Sequence, residues 1–157
     1  MTVAVFAAAI GSGLVAGIFF AFSTFVMAGL ARLPASQGVA AMNHINVTVI
    51  NPAFMTAFMG MTGLSLALGI GALFWWSEPG AKLVFAASLL YFFGCFGVTM
   101  VFNVPLNNRL ASVSVAESAA LWARYLKVWT MWNHVRTIAP MLASALFVAA
   151  QVLRDAA

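Results

Sequence analysis

Charged side chains divide the chain into four long uncharged runs, at residues 1–31, 33–77, 83–108 and 137–153. A helix needs roughly 20 apolar residues to cross hydrocarbon. The first run predicts a helix over residues 3–30, closed by Arg32 and Pro34. The second is too long for one span and contains Asn51-Pro52. Asparagine caps a helix start, and proline suits the first helical position, where its missing N–H costs nothing. A second helix is therefore expected over 52–76, ended by Glu78-Pro79-Gly80, and a third over 81–102, closed by Asn103-Val104-Pro105. The fourth run is short for a span, but the stretch upstream of it from Val115 has good helix formers and no Gly or Pro. One long helix over 115–153 resolves this, with 133–153 in the membrane, 115–132 an amphipathic extension and Pro140 a candidate kink. Residues 36–46 are expected to form a short interfacial helix.

Composition leaves few alternatives. Of the 157 residues, 64% are hydrophobic and 6% charged, with a mean hydropathy of +1.04. A soluble domain is roughly 45–50% apolar and about 25% charged, so this chain lacks the polar surface to cover a core in water. Disorder, a coiled coil, a collagen-like rod and a disulfide-stapled secreted domain are excluded. The expected fold is all-α: a single integral membrane domain, residues 1–157, forming an antiparallel four-helix bundle. Small residues recur every fourth position at Ala9, Gly13, Gly17 and Ala21, and again at Gly63, Ala67 and Gly71. Such stripes let backbones approach closely in lipid, for bundle packing first and for homo-oligomer formation as a further use. The first apolar stretch has no basic leader and outruns a signal-peptide core, so it is expected to be retained.

Seven basic residues against three acidic give +4. The basic residues stand singly between apolar runs, which offers nucleic acid no continuous track and reads instead as topology. The first and third connections carry Arg32, Arg109, Arg124, Lys127 and Arg136, the other side Lys82 and Arg154. The positive-inside rule then makes connections 1 and 3 cytoplasmic and both termini external, in what is expected to be a bacterial inner membrane. Trp75 and Trp76 are expected at the outer interface, and Trp122, Trp129 and Trp132 at the inner one. Cys95 is alone in an apolar run, and no metal-ligand spacing exists.

Polar residues gather at the expected cytoplasmic end: His44, Asn46 and Asn51 before helix 2, Asn103 and Asn107 after helix 3, and Asn133, His134, Arg136 and Thr137 on helix 4. At about 100° per residue, Arg136, Asn133, Thr137, Thr130 and His134 fall in that order on one arc, with Tyr125 and Trp129 beside Arg136. Polar groups at membrane depth tend to face a bundle interior or a wet cavity. Each also has a structural role open to it. Asn51 is a helix cap, Asn103 and Asn107 can serve a helix end, Arg136 can snorkel and the tryptophans can form a belt. His134 divides evenly between function and structure. No carboxylate joins the group, which removes carboxylate-bridged metal chemistry. A haem b held by His134, or by His44 with His134, stays open.

The strings Gly17-Ile18-Phe19-Phe20-Ala21-Phe22-Ser23, Asn51-Pro52-Ala53-Phe54-Met55, Phe102-Asn103-Val104-Pro105-Leu106-Asn107-Asn108 and Trp132-Asn133-His134-Val135-Arg136-Thr137 resemble the anthrone oxygenase-like family of small four-helix membrane proteins. The segment Ala40-Ala41-Met42-Asn43-His44-Ile45-Asn46 adds to the match, which runs in order along nearly the whole chain. The resemblance implies oxidation of a hydroxyanthrone, or a related planar lipophilic phenol or quinol, by O2 with no added cofactor. It implies His134 as general base, and Arg136 with Asn133 and Asn103 stabilising the oxyanion. Asn46, Asn51, Asn107, Tyr125, Trp129 and Thr137 would surround the substrate. The alternatives are a haem b protein and a non-catalytic small-molecule binder, each with the bilayer and a lipophilic small molecule as its partners.

Overall fold

The apolar runs fold as helices because, in hydrocarbon, each backbone N–H and C=O must find its partner inside the segment. The computed structural model describes residues 2–112, 114 and 118–156. Four helices are long and apolar enough to span a membrane: α1 (Val3–Leu30), α3 (Pro52–Phe74), α4 (Ala81–Ala111) and α5 (Ser118–Asp155). A shorter helix, α2 (Ala35–Thr48), links the first two spans. Among the described residues there is no strand. The chain is an integral membrane protein with an all-α, four-helix architecture.

Neighbouring spans run antiparallel, as the contacts at their two ends show. Ser144 Oγ donates to the Ala9 carbonyl at 2.7 Å, and Ser23 Oγ lies 3.0 Å from Thr137 Oγ1, so α1 and α5 lie side by side with opposed directions. α1 also packs on α3, and α4 packs between α3 and α5, which closes the ring. α2 lies across one end, against the first turns of α5 and the last of α4. There Val39 and Met42 join Met27, Leu110, Trp122, Tyr125 and Trp129 in one buried cluster. At the other end Gly80 turns α3 into α4 with φ +81°, and a Cβ there would lie 2.5 Å from the Ala150 carbonyl oxygen. Only glycine fits both that dihedral and that approach.

Several expectations need correction. α4 does not stop at residue 102 but runs through Pro105 to Ala111. Widened π-helical turns at Leu90–Gly97 and Thr99–Asn103 interrupt the regular ladder, and Pro105 sits in the first turn of the regular piece that restarts at Val104. A proline is tolerated where a ladder restarts. The long fourth helix is as expected: α5 is continuous from Ser118 through the buried Pro140, and the expected start at 115 lies outside the described residues. The small-residue stripes serve the close packing only in part. Ala9 and Gly13 meet Ser144 of α5, whose Oγ donates to the Ala9 carbonyl and would lie 3.4 Å from a Cβ at Gly13, whereas nothing lies within 4 Å of a Cβ built at Gly17 or Gly63. α4 and α5 also approach closely at Gly94, where a Cβ would come 2.5 Å from that of Ala139. Trp122 and Trp129 are core residues rather than an interfacial belt.

Candidate functional site

At the α2 end the helices stand apart around a cavity of about 390 Å3, within the usual range for small-molecule sites. Its walls are mostly rings and methionines: Phe19 and Phe22 from α1, Met42 from α2, Phe54 and Phe58 from α3, Phe96 and Met100 from α4, and Trp129 from α5. Its polar groups are Asn46, Thr99, Asn107 and Arg136. The rings brace one another. Phe54 stacks on Phe58 with centroids 5.7 Å apart, and both meet Phe19 edge-on at 6.4 and 6.2 Å. On one side the wall is incomplete. α3 packs on α4 along Ala81–Gly97, but the packing thins below Gly97. There Met59 and Met100 line the cavity and also face the outside, 45% and 48% exposed.

Arg136 is the centre of the site. It is 5% exposed, and its guanidinium lies between two ring faces, 4.1 Å from the Phe19 centroid and 4.6 Å from that of Trp129. Nε donates to Asn133 Oδ1 at 2.9 Å, and Nη1 makes a long contact of 3.4 Å to Thr99 Oγ1. Thr99 gives its own proton to the Cys95 carbonyl, so it receives from the arginine. The acids Glu78 and Asp155 are exposed and lie at the opposite end of the bundle. A buried cation normally requires a counter-charge. Here the described residues supply ring faces and neutral oxygens only.

Asn133 fixes the arginine. Its Nδ2 donates to the Phe19 carbonyl at 2.8 Å and to Ser23 Oγ at 2.6 Å, leaving Oδ1 for Arg136. Thr137 returns its proton to the Asn133 carbonyl at 2.7 Å, so Ser23 is the donor to Thr137. The loop is closed, which sets the amide's orientation, and it ties α1 to α5 at the depth of Arg136. A second node holds the wall. Asn107 Oδ1 accepts from the Tyr125 hydroxyl at 2.7 Å and from Trp129 Nε1 at 2.8 Å. Asn103 Nδ2 donates to the Trp129 carbonyl at 3.2 Å, while its buried Oδ1 has no partner. Asn46 approaches the Tyr125 hydroxyl, yet its Nδ2 makes no hydrogen bond within 3.5 Å.

The expected residues thus separate into three groups. Arg136, Trp129, Asn46 and Asn107 line the cavity. Asn133, Asn103, Thr137 and Tyr125 are buried behind the lining and hold it in place. Asn51, His44 and His134 are exposed and outside it. Asn51 is a helix cap, accepting from Phe54 N at 3.0 Å and donating to the Thr48 carbonyl at 3.0 Å. His134 follows Asn133 and precedes Arg136 by two positions, about 160° around the helix axis at 3.6 residues per turn, so it points away when Arg136 points in. It is not placed to act as a base in the cavity. Neither His134 nor His44 lines the cavity, and the described residues contain no group of three or more metal ligands. The residues not anticipated are Phe19, Phe22, Ser23, Phe54, Phe58, Phe96 and Thr99. In sequence they are ordinary members of apolar spans, and only the helix arrangement brings them together.

Residues 53–146, comprising α3, α4 and most of α5, match the sequence profile of a family described as anthrone oxygenase. Arg136, Asn133, Trp129 and Asn107 lie inside the match, while the α1 and α2 walls lie outside it. No curated protein and no solved structure matches the chain.

Proposed function

The chain belongs to the anthrone oxygenase family, and on that premise we propose that it oxidises a planar, lipophilic phenol of the anthrone or quinol type with O2, inside the cavity that Arg136 caps. The observation carrying this reading is the guanidinium itself: buried, over the rings of Phe19 and Trp129, and without a described carboxylate. A preorganised cation in a water-poor site favours the state in which negative charge has developed on oxygen. Phenylalanine and tryptophan faces suit a flat ring system, and the two carboxamides, Asn46 and Asn107, offer hydrogen bonds to its oxygens.

The chemistry balances with O2 as the oxidant. An anthrone loses a proton from its ring methylene to give an electron-rich aromatic anion with its charge on oxygen. That anion passes one electron to O2, and the radical pair joins as a peroxide anion at the former methylene carbon, which takes back one proton to become the hydroperoxide. Loss of water leaves a carbonyl. In sum, one CH2 and one O2 become one C=O and one H2O, and no external reductant is consumed. Arg136 serves the first step, holding the oxygen that carries the charge, and Asn133 keeps Arg136 facing it.

The same reading sets orientation. Arg32, Arg109, Arg124 and Lys127 lie at the cavity's end of the bundle, against Lys82 and Arg154 at the other. By the positive-inside rule this charge asymmetry supports a cavity near the cytoplasmic face with both termini outside.

Purified protein in detergent is to be given a hydroxyanthrone while O2 uptake and quinone absorbance are followed above the uncatalysed background. One O2 per quinone is expected. Arg136→Gln is expected to lose about 100-fold or more, as for removal of an oxyanion donor. A wild-type rate in that variant overturns the assignment.

A further inference from the structure

The cavity lining contains one ionisable side chain, Arg136. Nothing in that lining accepts a proton at neutral pH. The titratable groups that interact with the guanidinium are Cys95 on α4 and Tyr125 on α5, and Tyr91 interacts with Cys95 in turn. All three are buried outside the lining, and the Tyr125 hydroxyl already donates to Asn107. α1 faces the arginine with Phe19 and Phe22, α2 offers Asn46, and α3 offers Phe54 and Phe58, none of them titratable. His44 and His134 are exposed elsewhere.

A membrane-embedded cation without a counter-charge is costly. Two of its five N–H groups are committed, to Asn133 and at long range to Thr99. The remaining ones are available to an anion in the cavity. We infer that the cavity takes its ligand as a monoanion, and that the ligand's own acidic O–H or C–H ionises to water beside Arg136 with no side-chain base. The ligand class is accordingly narrower than planar lipophiles: a flat ring system with one acidic group conjugated to an oxygen. Such a molecule crosses lipid as the neutral acid and is held as its conjugate base. The proton passes to water at the α2 end, where Ile50 lines the cavity and is 72% exposed. The inference rests on the oxygenase reading only for what the anion does next.

Its test needs no turnover. The probe is 2-hydroxyanthraquinone, a flat phenol that O2 does not oxidise and whose anion absorbs at longer wavelength than the acid. It is titrated with pH in nonionic micelles, with and without the protein. The bound probe is expected to reach half ionisation about 1–3 pH units lower than in empty micelles, the effect of an opposite charge in contact. His134→Ala and Cys95→Ala should keep the shift, and Arg136→Gln should abolish it. Should Arg136→Gln fail to fold, Asn133→Asp, which neutralises the arginine where it stands, should abolish the shift instead. With hydroxyanthrones of graded acidity, the rising limb of the pH–rate profile should move with the substrate. A bound probe that stays neutral, a shift that survives removal of the charge, absence of saturable binding, or a limb fixed at one pH for all substrates each overturns the inference. A shift without any O2 uptake leaves it standing and removes the oxygenase reading.

Discussion

The two ends of the bundle use the same four helices for opposite purposes. Toward the α3–α4 turn, Ala72, Ala81, Ala87, Ala143 and Ala150 let the helices close on Val84 and Phe147, with a shallow groove of about 170 Å3 between α3 and α4. Toward α2 the interior carries rings, methionines and amides, and it stays open. Small side chains draw helices together in lipid through packing alone. Large rings that touch edge-on leave gaps, and the π-helical turns of α1 and α4 fall in this half or border it. Irregular turns of this kind are frequent at functional sites. The closed half holds the bundle together so that the open half can retain a hollow and an unneutralised charge.

If that division is right, equal truncations should have unequal effects. Phe147 is fully buried in the closed half, and Phe147→Ala should cost about 3–5 kcal/mol, the usual range for emptying a filled core site. Phe54 already borders the hollow, so Phe54→Ala forfeits mainly its contacts with Phe58 and Phe19, about 1 kcal/mol. Unfolding both variants in one detergent measures the difference. Equal losses would show that the open half is as tightly packed as the closed one.

Charge gives the next contrast. Asn133→Asp would set a carboxylate against Arg136 Nε, where the amide oxygen now sits at 2.9 Å. The exchange also gives up the Nδ2 donations to the Phe19 carbonyl and Ser23, so the bundle should fold with reduced stability while affinity for a phenolate probe falls at least tenfold, about 1.4 kcal/mol. Undiminished affinity would mean that the charge of Arg136 does not hold the ligand. The gap between α3 and α4 is subtler. Met59→Trp or Met100→Trp should slow association of a membrane-dissolved probe several-fold in stopped flow, with stability within about 0.5 kcal/mol. An unchanged on-rate would argue for entry by another route.

How much of this was legible in sequence follows the same division. The spans were readable because hydrocarbon imposes a length and forbids charge, and the start of α3 because Asn51-Pro52 has one low-cost geometry. The end of α4 was not, since Pro105 reads as a stop unless the turns before it are known to be widened. The inward set Asn133, Arg136 and Thr137 was visible as a helical arc, but its width was not: periodicity orders residues around a helix without saying where the neighbouring helices end. The aromatic walls were illegible. Phe19 and Phe58 differ from Phe25 and Phe93, which face outward, only in which way their helices are turned.

His134 carries the smallest expected effect and the sharpest use of the comparison, now between two faces of one helix. It sits between Asn133 and Arg136 in sequence and outside the site in space. A side chain that faces away from the bundle contributes little to packing, so His134→Ala should change unfolding stability by no more than about 0.5 kcal/mol. Turnover and probe binding should likewise match wild type across pH 6–8. A base in the reacting cavity behaves otherwise, because its removal typically costs about 100-fold or more and erases its limb of the pH profile. A large loss with unchanged probe affinity would therefore mean that α5 turns during the reaction to bring His134 inward. It would also shift the source of the ionising step from the ligand's own acidity to this imidazole.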